Sequence, residues 1–271
     1  MQLIVNKVKQ IDTANSICTL EGNNLSMKVA LVTGASRGLG AEIARQLGTA
    51  GWAVAVNYSK DLAGAETVVS QICDAGGRAI VARFDVTNRE CVVRGLAEIA
   101  ERLEPVDLVV NNATGPQPIL PIHLQTWEHY LEQMNFFVAA PLFILHALLS
   151  DWRSRKSGRI INIGSEVVNI GSPNFGHYVT AKAAMVGMTR SWATELGPDN
   201  ITVNLVAPGW IPVERHIDAT LFELESYKKL VPLGKMGKPN DIAGLVSYLA
   251  SPAADFITGQ TLSVNGGRTL T

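Results

Sequence analysis

The feature that most constrains this chain is the regular alternation, from residue 27 onward, of short apolar runs with longer helical segments. The apolar runs predict strands at residues 28–33, 53–57, 79–84, 106–111, 159–163, 201–206 and 261–264. The intervening segments predict helices at 41–50, 63–75, 89–102, 127–150, 178–196 and 241–249. Continuously apolar strands that alternate with helices indicate a parallel sheet covered on both faces. We therefore expect an α/β fold, a single doubly wound Rossmann-type domain whose mainly parallel sheet has about seven strands.

Two segments fall outside this alternation. Residues 1–26 mix charged and apolar residues and lack the apolar core of a signal peptide, so we regard them as an extension of unknown role. Residues 27–271 form the predicted domain. Within it, the irregular stretch at about 209–239 is a candidate lid over the substrate.

Composition argues against several classes of protein. The net charge is −1, from 23 basic and 24 acidic residues, which gives no support for a nucleic-acid partner. The longest apolar run, 136–149, would span about 21 Å as a helix, less than the roughly 30 Å core of a bilayer, so we expect a buried helix and no membrane partner. Three cysteines without C-x-x-C spacing and five histidines without ligand spacing predict no metal site and a cytoplasmic protein.

A glycine-rich turn follows the first predicted strand. Residues 33–40 read TGASRGLG, directly before a predicted helix. Glycines in such a turn let a pyrophosphate approach backbone N–H groups at the helix N-terminus. We therefore predict a dinucleotide site here. The cofactor-binding residues predicted in this turn are Gly34, Ser36, Arg37, Gly38, Leu39 and Gly40.

Further candidate residues lie at the ends of the next strands. Ligands of an open parallel sheet bind at the carboxyl ends of its strands, so residues that follow different strands can line one site. The added cofactor-binding residues are Asn57, Tyr58 and Ser59 after the second strand, Asp85 and Val86 after the third, and Asn112 and Ala113 after the fourth.

The end of the second strand indicates which dinucleotide is preferred. A site for NAD usually has Asp or Glu about 20 residues beyond the glycine turn, where it binds the ribose 2′-hydroxyl. This chain has Asn57, Tyr58 and Ser59 there, with Asp61 nearby. Ser59 can donate to a 2′-phosphate, and Arg37 can bind it through its planar guanidinium. We expect NADP(H) as the cofactor.

A phenol and an ammonium are spaced for chemistry on a later helix. Tyr178 and Lys182 are i and i+4, one turn apart on one face. The pKa of an unperturbed tyrosine is about 10, and a neighbouring cation lowers it toward the range where proton transfer is efficient. Such pairs also occur on ordinary solvated helices. Ser165, which follows the fifth strand, adds a hydroxyl that could hold a substrate carbonyl. Asn135, a polar residue in an apolar helix, could on its own serve only to hydrogen-bond a backbone group at a helix kink.

Taken in order, these motifs resemble the short-chain dehydrogenase/reductase family from residue 27 to the C-terminus. The matching segments are TGASRGLG (33–40), FDV (84–86), NNA (111–113), MNF around Asn135, INIGS (161–165), YVTAK (178–182), ITVNLVAPG (201–209) and TGQTLSVNGG (258–267). With PLGKMGKPNDIA (232–243), the pattern is most similar to the 3-oxoacyl-acyl-carrier-protein reductase type, a likeness shared with reductases of other substrates.

The resemblance implies a role for each residue. Tyr178 would be the general acid/base, and Lys182 would bind the nicotinamide ribose and lower the pKa of Tyr178. Ser165 would orient the substrate oxygen, and Asn135 would hold a water that links Lys182 to solvent. A hydride would pass from the nicotinamide to the carbonyl carbon while Tyr178 donates a proton. The resemblance gives Tyr178, Lys182, Pro208, Gly209 and Ile211 as further cofactor-binding residues.

Two residues depart from the family pattern. Thr114 stands where the family has a glycine after NNA, beside the nicotinamide. Val213 stands where the family has a threonine two residues after Ile211, which removes a hydroxyl and puts the local lid conformation in question. Neither change removes a catalytic group.

We therefore expect an NADP(H)-dependent oxidoreductase that reduces the carbonyl of a small-molecule or acyl-carrier-bound substrate, a 3-oxoacyl thioester or related ketone. The alternatives are a ketoreductase or alcohol dehydrogenase for secondary-metabolite, sugar or steroid-like substrates, and a non-catalytic dinucleotide sensor. The helices at 127–150 and 178–196 are apolar on more than one face. The resemblance implies that they pair across a two-fold axis, in a homotetramer or homodimer.

Overall fold

The apolar runs of the sequence pair side by side in one sheet. The structure, a computed structural model, describes residues 10–12, 17–19, 27–217 and 219–270. Within these residues the strands are β1 (Gln10–Asp12), β2 (Ile17–Thr19), β3 (Val29–Val32), β4 (Ala53–Tyr58), β5 (Arg78–Arg83), β6 (Val106–Asn111), β7 (Gly158–Ile163), β8 (Ile201–Pro208) and β9 (Thr261–Val264). Their order is β1-β2-β5-β4-β3-β6-β7-β8-β9, with β3 to β9 all parallel. The predicted fold class is confirmed.

Two short strands add to the predicted sheet. β1 and β2 pair antiparallel, and β2 pairs antiparallel with β5. Both belong to the predicted extension 1–26, the rest of which lies outside the described residues. Strands of three residues are too short to give a periodic pattern in the sequence, so this extension of the sheet edge could not be predicted.

Helices cover both faces of the sheet. They are α1 (Gly38–Thr49), α2 (Leu62–Asp74), α3 (Arg89–Arg102), α4 (Trp127–Met134), α5 (Ala140–Arg155), α6 (Val167–Ile170), α7 (Gly176–Leu196), α8 (Leu221–Lys228) and α9 (Pro239–Ala250). Alternate residues of a strand face opposite sides. In β3, Ala30 and Val32 pack with α1, α2 and α9, whereas Val29 and Leu31 pack with α3, α5 and α7.

The strand order reverses between β3 and β6. The chain runs outward from β3 through β4 to β5, and then returns to β6 on the other side of β3. In open parallel sheets the ligand crevice lies at the carboxyl ends of the strands where this reversal occurs. The fold therefore places the expected site at the ends of β3 and β6, with β7 and β8 beside them.

The helix predicted at 127–150 is interrupted. α4 ends at Met134, a π-helical turn spans Asn135–Ala139, and α5 continues to Arg155. Pro141, in the first turn of α5, has no N–H to donate to the carbonyl four residues earlier. The π turn accommodates this change in hydrogen bonding, and such turns are frequent at functional sites.

The helical segment Trp127–Arg155 is long and apolar enough, by length and composition alone, to cross a membrane. The core helix of a globular domain meets the same criterion. In this segment Ile144, Leu148 and Trp152 are buried in the apolar cluster on one face of the sheet, and Trp152 Nε1 donates to the carbonyl of Val106 at 2.7 Å. The α5 part of the segment therefore packs one face against β6 inside the domain.

The predicted lid at about 209–239 has little regular structure. It contains a 3₁₀ turn at Glu214–His216 and the helix α8. No residue of α8 is buried. This helix therefore packs against the domain without burying a large apolar face. Its function as a lid stays a prediction.

Candidate active site

The glycine turn between β3 and α1 lies against the end of β6. Gly34 has a φ of +61°, and a Cβ on it would lie 2.8 Å from Ala113 Cα. Gly38 has a φ of +59°. Both positions therefore require glycine, for conformation and, at Gly34, for the close approach of two backbones. The turn brings the N-terminus of α1 to the carboxyl edge of the sheet, as a pyrophosphate site needs.

Side chains at the strand ends hold this turn in shape. Asn112 Nδ2 donates to the carbonyls of Thr33 and Gly34, at 2.9 and 3.1 Å. Thr33 Oγ1 accepts from the amides of Asn112 and Ala113. Asn112 thus fixes the position of the turn relative to β6. Thr33 also fixes the turn against β6, although it was not among the predicted binding residues. Its position as the first residue of TGASRGLG could have pointed to this role.

The side chains of Asn57 and Tyr58 are buried at the end of β4, and their contact with a cofactor stays a prediction. Asn57 is 2% exposed, accepts from the amide of Gly34 and donates to the carbonyls of Ala82 and Phe84. Tyr58 is 6% exposed, and burial raises the pKa of its hydroxyl, with the Arg83 guanidinium acting in the opposite direction. Both side chains therefore contribute to the scaffold beneath the predicted cofactor site.

Exposed polar residues lie around the end of β4. Arg37, in the glycine turn, and Ser59 and Lys60, directly after β4, are exposed to solvent. The nearby acid, Asp61, caps α2, where its Oδ1 accepts from the amide of Gly64 at 3.0 Å. The end of β4 therefore presents a cation and a hydroxyl, and its acid is engaged by a helix N-terminus.

The remaining cofactor-binding predictions at these strand ends differ in exposure. Asp85 is exposed and accepts from the amide and hydroxyl of Thr87, so it shapes the turn after β5. Val86 is 4% exposed and packs in the core, and Leu39 packs partly buried against the cluster on the other face. Ser36 is half-buried in the turn itself.

The Tyr178–Lys182 pair lies on the inner face of α7. Tyr178 is 8% exposed and Lys182 is 4% exposed. Lys182 Nζ donates to the carbonyl of Ile163, the last residue of β7, at 2.6 Å. The Tyr178 ring stacks on Phe175, with 4.5 Å between centroids, and belongs to a buried cluster with residues of β8. The pair is therefore anchored at the carboxyl ends of β7 and β8.

Ser165 lies at the same edge. It follows the end of β7 by two residues, is half-buried, and its Oγ accepts from the amide of Val167 at 3.4 Å. Parallel strands bring their carboxyl ends to one side of the sheet. The structure thus places Ser165, Tyr178, Lys182 and the glycine turn on one edge of the domain.

Asn135 and Phe137, both in the π turn, have different surroundings. Asn135 is exposed, whereas Phe137, two residues later, is 1% exposed, and its ring centroid lies 3.6 Å from Lys182 Nζ. The Phe137 ring also meets the Tyr178 ring edge-on, at 5.5 Å between centroids. Residues two apart on a helix point in nearly opposite directions. Phe137 therefore packs against the Tyr178–Lys182 pair, and the role of Asn135 in holding a water stays a prediction.

The start of the lid crosses the glycine turn. Pro208 ends β8, the amide of Gly209 donates to Val264, and Ile211 is 7% exposed. A Cβ built on Gly38 would lie 3.5 Å from Val213 Cβ and 3.3 Å from a Glu214 carboxylate oxygen. Val213, one of the two departures from the family pattern, thus places an apolar side chain against the glycine turn. Thr114, the other departure, is exposed.

Comparison with known proteins agrees with this geometry. A family model described as enoyl-(acyl carrier protein) reductase matches residues 34–269. The 3-oxoacyl-[acyl-carrier-protein] reductase of Synechocystis sp. is 36% identical over 246 residues, 90% of this chain and 97% of that protein. The chain belongs to the short-chain dehydrogenase/reductase family. It is therefore an oxidoreductase of a family that uses nicotinamide dinucleotides.

Solved structures of the short-chain dehydrogenase/reductase family extend the comparison to three dimensions. A dehydrogenase/reductase from Sinorhizobium meliloti is 35% identical and has a TM-score of 0.82, over 91% of this chain and 96% of that chain. LanV, an angucycline C-6 ketoreductase with bound NADP, is 34% identical with the same TM-score, over 91% of this chain and 97% of that one. The Rossmann-type architecture of this family member is thereby confirmed.

Proposed function

We propose that this protein is an NADP(H)-dependent carbonyl reductase that converts a 3-oxoacyl thioester or a related ketone to a secondary alcohol. The observation that carries the proposal is the buried Tyr178–Lys182 pair at the ends of β7 and β8, on the same edge as Ser165 and the glycine turn. A proton donor and a dinucleotide site on one edge are the parts that carbonyl reduction needs.

The residues present fit a nicotinamide dinucleotide. The glycine turn presents the N-terminus of α1. A side chain at residue 34 would clash with Ala113 and separate the turn from the end of β6. The cofactor supplies the hydride for the carbonyl carbon. Tyr178 donates the proton to the carbonyl oxygen, and the Ser165 hydroxyl hydrogen-bonds the same oxygen and orients it. Lys182 holds a positive charge beside Tyr178, anchored through Ile163.

Phe137 contributes a further element of the site. Its ring face lies over the Lys182 ammonium, an arrangement that stabilises the cation by attraction to the ring quadrupole. The ring also excludes water from that side of the pair, because it is buried. Electrostatic interactions are stronger where water is excluded, so the attraction between the Lys182 ammonium and negative charge on the Tyr178 oxygen is strengthened.

Arg37 and Ser59 support the preference for NADP(H). Both are exposed, Arg37 in the glycine turn and Ser59 directly after β4, where the 2′ position of the adenosine ribose is expected. A guanidinium and a hydroxyl suit a phosphate, and the carboxylate of Asp61 is engaged at the cap of α2. The NADP bound in LanV gives the same indication from a relative.

Reduction of a secondary-metabolite ketone is the second candidate. LanV, an angucycline C-6 ketoreductase, is 34% identical to this chain, close to the 36% of the Synechocystis 3-oxoacyl-[acyl-carrier-protein] reductase. The lid also presents large apolar side chains, since Leu221 and Phe222 of α8 are 81% and 80% exposed. Such residues suit an apolar substrate of either class.

The test is ketone-dependent oxidation of the reduced cofactor, followed at its absorbance band. An acetoacetyl thioester, a polycyclic aromatic ketone, a keto-sugar and a keto-steroid are each tried with NADPH and with NADH. We expect turnover with at least one ketone and a higher kcat/KM with NADPH. Cofactor binding without oxidation by any ketone would favour the dinucleotide sensor and contradict the proposal.

A further inference from the structure

A polar cluster outside the reaction centre connects the lid to the residue after Ser165. In α8, the Tyr227 hydroxyl donates to a carboxylate oxygen of Glu166 at 2.6 Å. The same hydroxyl accepts from the amide of Trp210 at 2.8 Å. A Cβ at Gly209 would lie 2.5 Å from this hydroxyl, so the contact requires glycine there. One phenol therefore joins the lid helix, the start of the lid and the end of β7.

Glu166 is an unusual acceptor because it is buried. It is 3% exposed, its amide donates to the carbonyl of Pro208, and its second carboxylate oxygen forms no hydrogen bond with the described residues. Arg268, near the C-terminus, places its Nε 3.6 Å from the carboxylate and its guanidinium 5.2 Å from the centre of the Tyr227 ring. A buried carboxylate is costly unless it is paired, so it attracts both Tyr227 and Arg268.

The remainder of α8 gives this contact its importance. No residue of α8 is buried, and Leu221 and Phe222 are almost fully exposed. The helix is therefore attached to the domain largely through Tyr227, whose hydroxyl bonds to Glu166 and Trp210 and whose ring meets the Trp210 ring edge-on at 5.5 Å between centroids. A segment held by few contacts opens at low free-energy cost, as lids do. Arg268 belongs to the C-terminal tail, so the carboxylate keeps a cation nearby when Tyr227 leaves.

We propose that Tyr227, Glu166 and Arg268 form a latch that holds α8 closed over the substrate. Tyr227 is then a positioning residue, which acts through Glu166 on the segment that carries Ser165 and through α8 on the lid. The expected effect on ketone affinity rests on the proposed function. The latch itself is a property of the free protein and is testable without substrate.

The direct test is hydrogen exchange of the α8 amides in the free protein. For Tyr227→Phe we expect exchange at 221–228 to become about tenfold faster, the usual worth of one hydrogen bond to a charged acceptor. Tyr248→Phe is the matched control, because that hydroxyl lies in α9, 3.4 Å from the carbonyl of Ala253. Equal α8 exchange in the wild type and Tyr227→Phe overturns the latch.

Glu166→Gln provides the second variant, which also serves if Tyr227→Phe does not fold. The amide oxygen still accepts from Tyr227, but the charge that strengthens the bond and attracts Arg268 is gone. We expect faster exchange at α8 than in the wild type, by a smaller factor than for Tyr227→Phe. Unchanged exchange in this variant also overturns the latch.

Kinetics separate positioning from a purely structural role. For Tyr227→Phe with an accepted ketone, we expect KM to rise about tenfold while kcat stays within about threefold, because the closed lid is less populated. A loss of kcat at unchanged KM would indicate fewer folded molecules and contradict positioning. Because exchange is measured without ketone or cofactor, the latch can fail while the proposed reductase holds, or the reverse.

Discussion

At the scale of single residues, the site depends on which polar groups stay exposed once the chain has folded. Asn57 and Tyr58 end the strand that the sequence predicts to lie beside the cofactor, but their side chains are buried in the scaffold. Arg37 and Ser59 stay exposed. We therefore propose that Arg37 and Ser59 give selectivity for the 2′-phosphate.

Arg37→Ala tests this assignment. We expect KM for NADPH to rise about tenfold or more and KM for NADH to change little, because only NADPH carries the phosphate that the guanidinium binds. Steady-state kinetics with both cofactors measure this. Arg94→Ala, an exposed arginine of α3, is the control. Equal losses with NADPH and NADH, or a native preference for NADH, would refute the assignment.

Asn135→Ala tests whether Asn135 takes part in the reaction, as the resemblance implies. Since Asn135 is exposed and the side chain that lies over Lys182 is that of Phe137, we expect kcat of the Asn135 variant to stay within about threefold of the wild type. The measurement is kcat with a saturating ketone. A hundredfold loss would show that Asn135 takes part in proton transfer after all.

The sequence was informative where function depends on local spacing. TGASRGLG needs only neighbouring residues to form its turn, and Tyr178 and Lys182 share a face because they are i and i+4 on α7. Phe137 illustrates the limit of such reasoning. The π turn after Met134 changes the rotation of the helix, so the sequence did not show that the Phe137 ring lies over Lys182. Long-range contacts such as Tyr227 to Glu166 leave no periodic signal.

At the scale of elements, the parallel strands were predictable because each is apolar along its whole length. β3 is buried throughout, and alternate residues pack on opposite faces. The antiparallel pair β1–β2 has three residues per strand and gives no such pattern. The apolar run predicted that this helix ends at residue 150, but α5 extends to Arg155. The last turn of α5 is polar and therefore gave no apolar signal, and the helix ends at Lys156, whose φ is 50°.

The contact between α4 and the start of α7 predicts a dependence of stability on pH. His177 is fully buried, with the His129 and Phe175 rings about 6 Å away. Burial lowers the pKa of His177, and His129 acts in the same direction, against the Pro118 carbonyl. Below the unfolded value of about 6.5, the unfolded chain binds a proton that the folded state resists. Stability should therefore fall as the pH falls through and below 6.5.

Urea unfolding at pH 7.5 and pH 5.5 measures this dependence. His177→Asn should lose part of the pH-dependent change in the unfolding midpoint, because its side chain does not titrate. His146→Asn, in an exposed position of α5, is the control. An identical pH dependence in the wild type and His177→Asn would contradict the assignment to this histidine.

At the scale of the whole molecule, apolar residues on α4, α5 and α7 remain to be covered. Phe137 and Met185 are buried within the chain, but Phe143 and Trp192 are only half-buried, and Trp127 is 65% exposed. A helix that is apolar on several faces is buried on several faces. These faces support the proposed pairing of the two helical regions in a homotetramer or homodimer.

Light scattering at micromolar concentration measures the assembly. We expect the mass of four protomers, or of two, each of 29.1 kDa. Replacing Trp127 by Glu should shift the mass toward that of one protomer, because a charge would have to be buried in the interface. A native mass of 29.1 kDa would count against pairing.

The central claim is that Tyr178 donates the proton in carbonyl reduction, and Tyr178→Phe tests it most directly. The measurement is the rate of NADPH oxidation with an accepted ketone, together with NADPH binding, for the variant, the wild type and Tyr248→Phe. The account predicts a fall in kcat of about 10²–10⁴-fold with NADPH binding changed only a few-fold, because the ring that packs on Phe175 and Phe137 remains and only the acid is lost. Turnover by Tyr178→Phe at the wild-type rate would contradict it.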